Sequence, residues 1–311
     1  MRLFLILFLL ALAALLWWRF TMPKTLSDEA FTALYAEPLR PQRPDAVYHL
    51  GHSLVGRDMP AMLSQLMGNR YHSQLGWGAS MRNHWQDDVP GFSEENRAPA
   101  FRPVREALAS GDYDALVLTE MVELKDAIRY HDSAKTLADW VRLARAGRPD
   151  MRVYLYETWH RLDDPVGWET RLRDDLPALW EGQVLRPALA AEGMADKGMA
   201  PVYVIPAGQV MAAMVARIEA GAVPGLTSRR DLFGVGADGT PDPIHLSDLG
   251  LYVVALTHFA VLSGESPVGV AHALLRADGT PATAPTPEAA RIMQEVVWQV
   301  VTSYALTGVK G

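Results

Sequence analysis

The sequence predicts an α/β fold in which a mostly parallel sheet of five strands lies between two layers of helices. Three observations favour this three-layer α/β/α arrangement. Five short apolar runs are spaced along the chain, amphipathic helical segments separate them, and glycines or capping residues mark many of the element ends. Strands that alternate with helices form βαβ units, which cover a parallel sheet on both faces.

The predicted strands are apolar runs with few charged residues. The first is "DAVYHL", and the third, "YDALVLTE", has the strongest buried character. In chain order the strands cover residues 45–50, 70–78, 113–120, 151–159 and 200–208. The helical segments show apolar residues every three or four positions, and "SAKTLADWVRLARAG" has a serine at its start and a glycine at its end. They cover residues 59–67, 104–110, 133–147, 167–193, 247–264 and 286–306.

The N-terminus predicts a membrane segment. The uncharged apolar run Leu3–Trp18 is about 24 Å long as a helix, slightly short of a bilayer core, and Trp17, Trp18 and Arg19 are typical of the interface. An uncleaved signal-anchor over residues 1–20 is favoured over a cleaved signal peptide, because the following residues make a poor cleavage site. Residues 21–44 contain several prolines and predict a connector. Residues 45–311 predict one domain, which we expect on the periplasmic or extracellular side. If the N-terminal segment is cleaved, this domain is secreted.

Composition excludes several classes of function. The net charge is −7 and no basic run is present, so the sequence predicts no nucleic-acid partner. The chain has no cysteine, which excludes disulfides, thiolate nucleophiles and cysteine-ligated zinc. No nucleotide-binding glycine motif and no metal-binding histidine motif occurs, so we expect neither a cofactor nor a metal.

Ser53 follows the first predicted strand in the stretch "YHLGHSLVG". A serine at a strand-to-helix turn projects its hydroxyl above the sheet, beside backbone N–H groups that can hold an oxyanion. The alternative is a serine that caps the next helix, and the short pattern alone favours the cap.

A second motif lies about 190 residues downstream, in "DGTPDPIHLSDLGLY", where Asp242 precedes His245 by three positions. A serine hydroxyl needs an imidazole to remove its proton, and the imidazole needs a carboxylate to fix its tautomer. We expect this motif on a loop. The alternatives are that Asp242 is a turn residue and that His245 bonds to backbone. Ser247 is the expected N-cap of the next helix.

Together the two motifs resemble those of the SGNH (GDSL-type) hydrolase superfamily, over residues 45 to about 263. The resemblance implies a flavodoxin-like sheet, with Ser53 as nucleophile, His245 as base and Asp242 as its carboxylate partner. It also implies that a glycine after the second strand completes the oxyanion hole together with the Ser53 N–H. In "LGWGAS" that glycine is Gly78, with Gly76 as second choice.

The third block departs from the family. Where the family has Gly-x-Asn-Asp, with the asparagine amide as an oxyanion donor, this chain has Thr119 and Glu120 in "VLTEMVE". An ionised glutamate cannot donate a hydrogen bond. The alternatives are a Thr119 hydroxyl donor, a protonated Glu120, or a donor from Asn83 or His84 in "GASMRNHW".

Polar and aromatic residues after the strands predict a substrate surface, because ligands bind beyond the carboxyl ends of parallel strands. The fourth strand ends in "YETWH", where Trp159 suits a sugar or acyl platform. The residues that we expect to contact substrate are His52, His84, Glu120 and Trp159.

The sequence therefore predicts a serine hydrolase that cleaves O-acyl esters, with acetyl groups on carbohydrate as the expected substrate and the N-terminal helix as a membrane contact. The rival hypotheses are a non-catalytic protein that binds a glycan or a partner in the same pocket, and an O-acyltransferase. Water and a sugar hydroxyl attack the same acyl-enzyme, so the residues alone do not separate hydrolysis from transfer.

Overall fold

A central parallel sheet organises the protein. The computed structural model describes residues 25–193, 199–236 and 238–311. The five strands lie in the order β2-β1-β3-β4-β5, and each neighbouring pair is parallel. Their bounds are β1 Ala46–His52, β2 Arg70–Gly76, β3 Ala115–Leu118, β4 Arg152–Glu157 and β5 Val202–Pro206. The prediction of a five-stranded parallel sheet is confirmed, and its strand order is that of flavodoxin-like folds.

Helices cover both faces of this sheet. The α-helices are α1 Asp28–Ala33, α2 Asp58–Met67, α3 Met81–Trp85, α4 Phe92–Glu95, α5 Val104–Ser110, α6 Leu124–Tyr130, α7 Ser133–Gly147, α8 Trp168–Asp175, α9 Arg186–Glu192, α10 Ala207–Glu219, α11 Asp248–Ser263 and α12 Pro287–Ser303. One layer contains α2, α10, α11 and α12, and the other contains α3, α5, α7 and α9. The strands β1, β3 and β5 are buried along their whole lengths, as expected for a sheet that is covered on both sides.

The long segment predicted as helical over residues 167–193 contains α8 and α9 with a π-helix, Leu176–Leu185, between them. Pro177 and Pro187 lack the N–H groups that an α-helix needs at those positions, which favours a different hydrogen-bond pattern in this stretch.

Strand register brings the functional motifs together. His52, the last residue of β1, lies opposite Gly76, the last residue of β2. Leu50 lies opposite Leu118 at the end of β3. Parallel strands end at the same edge, so the residues that follow β1, β2 and β3 meet at one rim of the sheet.

A two-stranded antiparallel sheet carries the second motif. Strand β6, Phe233–Val235, pairs with β7, Pro241–Leu246. The sequence prediction placed Asp242 and His245 on a loop, and this was wrong. Two prolines in "PDPIHL" disfavour an interior strand, but proline is tolerated in a ribbon with free edges.

The segment predicted as a connector is packed against the domain where it is described. Phe31 on α1 is buried, and the Tyr35 hydroxyl donates to the Val202 carbonyl oxygen of β5 at 2.7 Å. The predicted signal-anchor over residues 1–20 lies outside the described residues, so it stays a prediction. Within residues 25–193, 199–236 and 238–311, no helix has the length and apolar character to cross a bilayer.

Candidate active site

The turn after β1 holds Ser53 at the rim. The N–H groups of Val55 and Gly56 donate to the His52 carbonyl oxygen at 2.9 and 3.2 Å, and the Leu54 N–H donates to His52 Nδ1 at 3.3 Å. Gly51 is required beneath the turn, because a Cβ there would lie 2.7 Å from a methyl carbon of Thr119. Ser53 therefore leaves the strand on a tight and closely packed turn.

The hairpin strand β7 places an imidazole against this serine. His245 Nε2 lies 3.0 Å from Ser53 Oγ, although the two residues are 192 positions apart. On the other side of the ring, His245 Nδ1 lies 2.8 Å from Asp242 Oδ2. The structure thus brings the three predicted catalytic residues into one hydrogen-bonded line.

Asp242 is held in the orientation and the charge state that this line needs. Partial burial raises its pKa, but hydrogen bonds from the N–H groups of His245 and Ile244 and from the His245 ring outweigh burial, so the pKa is lowered from its ordinary value. Both N–H groups donate to Asp242 Oδ1 at 2.9 Å. Ionised Oδ2 accepts a hydrogen bond from Nδ1–H, which favours the tautomer whose Nε2 can accept a hydrogen bond from the serine hydroxyl.

The loop after β4 supports the strand that carries His245. The Trp159 indole N–H donates to the Ile244 carbonyl oxygen at 2.7 Å, and the Leu162 N–H donates to the Pro243 carbonyl oxygen at 2.8 Å. Trp159 is 1% exposed, so the prediction that it is a substrate platform was wrong. Its position at the end of β4 was predicted, but the hairpin that covers it was not.

Replacing Trp159 by phenylalanine is expected to lower the free energy of unfolding by about 1 kcal/mol, the usual net contribution of one hydrogen bond. It is also expected to lower kcat by about tenfold, because the strand beside His245 loses an anchor and small displacements of a base are costly. Urea unfolding and ester hydrolysis measure the two effects.

Trp168→Phe is the matched control for this substitution. Trp168 is also buried and packs on Phe233 of the same hairpin, but its indole nitrogen has no hydrogen-bond partner among the residues that the structure describes. If both variants lose kcat equally, the hydrogen bond to Ile244 is not what positions His245.

Two backbone N–H groups are available to hold an oxyanion. The hydrogen bonds of the described residues leave the N–H groups of Ser53 and Gly78 without an acceptor. Gly78 is exposed and has a φ of +54°, which favours glycine, whereas a Cβ there would meet nothing within 4 Å. Gly76 is the weaker choice because it is buried in β2. The role of Gly78 as an oxyanion donor stays a prediction.

Two side-chain donors that the sequence suggested for the oxyanion, Thr119 and Asn83, make hydrogen bonds within the protein. The Thr119 hydroxyl is buried and donates to the Tyr156 carbonyl oxygen at 2.7 Å, so the prediction that it holds the oxyanion was wrong. The Asn83 side-chain oxygen accepts from the Ser80 N–H and hydroxyl at 2.9 and 2.7 Å. This capping box fixes the Asn83 amide at the start of α3, and its part in the oxyanion hole stays a prediction.

His52 and His84 lie beneath the rim and donate to backbone carbonyl oxygens. Both are fully buried, which contradicts the prediction of substrate contact. His52 Nε2 donates to the Glu120 carbonyl oxygen at 2.8 Å, and His84 Nε2 donates to the Gly51 carbonyl oxygen at 2.9 Å. Burial lowers the pKa of each ring to about 4, so both are neutral donors near pH 7. His52 is the last residue of β1 and His84 lies on α3, and the sequence pattern did not reveal that both side chains are buried.

Glu120 also lies beneath the rim, so the prediction that it contacts substrate was wrong. Its side chain is fully buried, and its Oε1 accepts from the N–H groups of Met121 and Met81 at 2.9 and 3.1 Å. Oε2 has no hydrogen-bond partner within the described part of the chain. Burial raises the pKa of Glu120 to about 7, although the N–H of Met121, the nearby Ser133 hydroxyl and the N–H of Met81 partly oppose this.

Replacing Glu120 by glutamine is expected to stabilise the protein at pH 8 and to have little effect at pH 5. Folded Glu120 keeps its proton up to about pH 7, whereas an unfolded glutamate releases it near pH 4.5. Stability therefore falls as pH rises through this window, by about 3 kcal/mol at most. Glutamine removes this loss and retains an acceptor for both N–H groups.

Urea unfolding at pH 5, 6, 7 and 8 measures the expected difference. Glu37→Gln, at an exposed position outside the helices and strands, is the control. An unchanged pH dependence of stability in Glu120→Gln contradicts the expectation.

An exposed tryptophan at the rim was missed by the sequence analysis. Trp77 follows β2 directly, beside Gly78, and its side chain is 55% exposed. The available signal was the same one that drew attention to Trp159, an aromatic residue just after a strand. In contrast, His160, the histidine of the "YETWH" stretch, is buried against Asp175 with 3.1 Å between Nε2 and Oδ2.

Within the described ranges, no group of three or more histidine, aspartate or glutamate side chains is arranged to hold a metal ion.

Comparisons with known proteins give distant similarities. No family model matches the sequence, and no curated protein matches it. A protein described as a GDSL-like lipase from Parabacteroides merdae ATCC 43184 is 12% identical, with 73% of this chain and 99% of that chain covered at a TM-score of 0.40. A second protein described as a GDSL-like lipase, from Bacteroides ovatus ATCC 8483, is 20% identical, with 68% of this chain and 50% of that chain covered at a TM-score of 0.33.

A third similar structure is a tail fiber protein of an E. coli phage, which is 13% identical, with 76% and 28% covered at a TM-score of 0.40. The motifs and the geometry of this chain carry the family resemblance themselves. In its strand order, its Gly51-His52-Ser53 turn and its Asp242-x-x-His245 strand, the chain resembles the SGNH (GDSL-type) hydrolases.

Proposed function

We propose that this protein is a serine hydrolase that cleaves O-acyl esters. One observation carries the proposal: Ser53 Oγ, the His245 ring and Asp242 form a continuous line of hydrogen bonds of 3.0 and 2.8 Å at the carboxyl edge of the sheet. A hydroxyl, a neutral imidazole and an ionised carboxylate in this order make an activated nucleophile.

The proposed reaction has two halves. Ser53 Oγ attacks the acyl carbon while His245 Nε2 takes the hydroxyl proton, and the Ser53 and Gly78 N–H groups stabilise the negative charge on the carbonyl oxygen. The tetrahedral intermediate collapses, and His245 returns the proton to the leaving alcohol. Water then attacks the acyl-enzyme with His245 again as base, which releases the acid and restores Ser53.

The substrate that we propose is a short acyl group, acetyl in particular, esterified to a carbohydrate. The site is open, since the His245 side chain is 49% exposed and Trp77 and Gly78, which follow β2 at the same rim, are exposed. An open rim suits an ester presented on a larger, polar molecule better than a long acyl chain, which needs an enclosed apolar channel.

A serine-directed fluorophosphonate probe tests the proposed chemistry. We expect covalent labelling of Ser53, identified by mass spectrometry of the labelled peptide, and competition by an acetate ester. Folded protein that is not labelled at Ser53 contradicts the proposal and favours a non-catalytic binding protein. If acetyl transfer to an added oligosaccharide exceeds release of free acetate, the activity is that of an acyltransferase.

A further inference from the structure

Trp77 differs from every other tryptophan that the structure describes. Seven tryptophans lie in the described ranges, and Trp77 alone is more than half exposed; the others are Trp85, Trp140, Trp159, Trp168, Trp180 and Trp298. Single exposed apolar residues are ordinary on protein surfaces. The surroundings of Trp77 indicate a ligand-binding role for this residue.

The indole ring is fixed in place. Its Nε1–H donates to Glu95 Oε1 at 2.9 Å, and the backbone N–H of Trp77 donates to the Pro90 carbonyl oxygen at 2.7 Å. Arg57 in turn contacts Glu95. Its Nη2 donates to the Glu95 backbone oxygen at 3.0 Å and lies 3.7 Å from Glu95 Oε2. A rigid aromatic ring loses little conformational entropy when a ligand binds.

One face of the ring packs on backbone and the other is open. A Cβ placed on Gly91 would lie 2.2, 2.4 and 2.5 Å from Cδ2, Cε2 and Cγ of Trp77. Nearly equal distances to three consecutive ring atoms put that point above the plane of the indole, so Gly91 covers one face. Since the side chain is 55% exposed, the opposite face is directed to solvent.

Trp77 lies beside Ser53 in the strand register. His52 and Gly76 are register partners, so Ser53 and Trp77 each come one residue after the paired ends of β1 and β2. Neighbouring strands are about 4.8 Å apart. Gly78, the proposed oxyanion donor, is the next residue, so a group stacked on Trp77 lies next to a carbonyl oxygen held at Gly78.

We propose that Trp77 is the platform on which a pyranose ring of the substrate stacks while its ester reaches Ser53. The axial C–H groups of a sugar pack on a flat aromatic face, and its hydroxyls need polar neighbours. Glu95 and Arg57 supply a carboxylate and a guanidinium at the edge of this ring. The inference rests on the proposed function, because it takes Ser53 and Gly78 as the reacting site. It adds that Trp77 is the residue that selects glycan esters over other esters.

The test separates binding from chemistry by using the full chain with Ser53→Ala, which cannot form an acyl-enzyme. The ligands are xylotetraose, cellotetraose and chitotetraose, each with and without O-acetyl groups, and dissociation constants come from saturation-transfer NMR titration. We expect at least one oligosaccharide to bind, Trp77→Ala to weaken its binding by about tenfold or more, and Trp77→Phe to weaken it less.

Two further variants keep the test sharp. Gly91→Ala is expected to weaken binding as Trp77→Ala does, because its Cβ displaces the ring and its φ of +66° favours glycine. Tyr130→Ala is the control, because Tyr130 is an equally exposed aromatic residue at the end of α6, and its loss is expected to leave binding unchanged. Thermal unfolding of each variant verifies that it is folded.

Kinetics of the Ser53 enzyme give a second readout. With Trp77→Ala, KM for the acetylated oligosaccharide is expected to rise by about tenfold more than KM for 4-nitrophenyl octanoate. The inference is overturned if no oligosaccharide of the panel binds, if Trp77→Ala binds it as tightly as the parent, or if the octanoate ester depends more on Trp77. Oligosaccharide binding without any ester hydrolysis by the Ser53 enzyme contradicts the proposed function instead.

Discussion

Replacing Ser53 by alanine is expected to lower kcat for 4-nitrophenyl acetate by at least about 10³-fold, since without the hydroxyl only the oxyanion donors and substrate binding remain to assist water. KM is expected to change little, because the substrate carbonyl still meets the same N–H groups. The fold is expected to persist, because the Ser53 hydroxyl bonds to the half-exposed His245 ring and, among the described residues, to no other side chain.

Ser303→Ala is a suitable control for this experiment. Its hydroxyl donates to the Val300 carbonyl oxygen at the exposed end of α12, and its loss is expected to leave kcat unchanged. If Ser53→Ala retains more than about a tenth of the parent kcat while it no longer reacts with the fluorophosphonate, another group performs the hydrolysis.

The sequence predicted the sheet well because its strands are simple cases. Runs such as "ALVL" in β3 and "VYVIP" in β5 are buried on both faces, so they are uniformly apolar and flanked by helical segments. The same reasoning could not predict the hairpin of β6 and β7. It is short, exposed and proline-containing, and its pairing depends on contacts with the loop after β4 that no local pattern encodes.

The candidate site was predictable in part for a related reason. Topology alone brings Ser53 to the rim, and the residue chemistry of Asp242 and His245 indicated the partners. The direction of each side chain after the strands was not predictable. His52 ends β1, His84 lies on α3 and Glu120 lies just after β3. All three are buried and bond to backbone, whereas the Trp77 side chain is exposed.

Replacing Asp242 by asparagine is expected to lower kcat by about 10²- to 10⁴-fold at pH 7.5. The asparagine side-chain oxygen can still accept hydrogen bonds from the N–H groups of Ile244 and His245, so the hairpin keeps its shape. Its NH₂ group would then face His245 Nδ1, which must accept rather than donate. The ring is forced into the tautomer with a proton on Nε2, and that nitrogen no longer accepts the Ser53 proton.

Asp238→Asn is the matched control, because Asp238 lies in the turn of the same hairpin and accepts from the Thr240 N–H and hydroxyl. It is expected to retain full kcat. An Asp242→Asn enzyme with nearly parental kcat would mean that Asp242 is only a turn residue of the hairpin, which was the alternative that its sequence context allowed.

The double variant Ser53→Ala with Asp242→Asn decides whether the two residues act as one unit. If Asp242 acts only through His245 on the Ser53 proton, removing it from an enzyme without Ser53 costs nothing more, and kcat of the double variant equals that of Ser53→Ala. Losses that multiply would mean that Asp242 assists water directly, independently of Ser53. Equal rates, together with a large loss in each single variant, are the result that a nucleophile, base and carboxylate in series require.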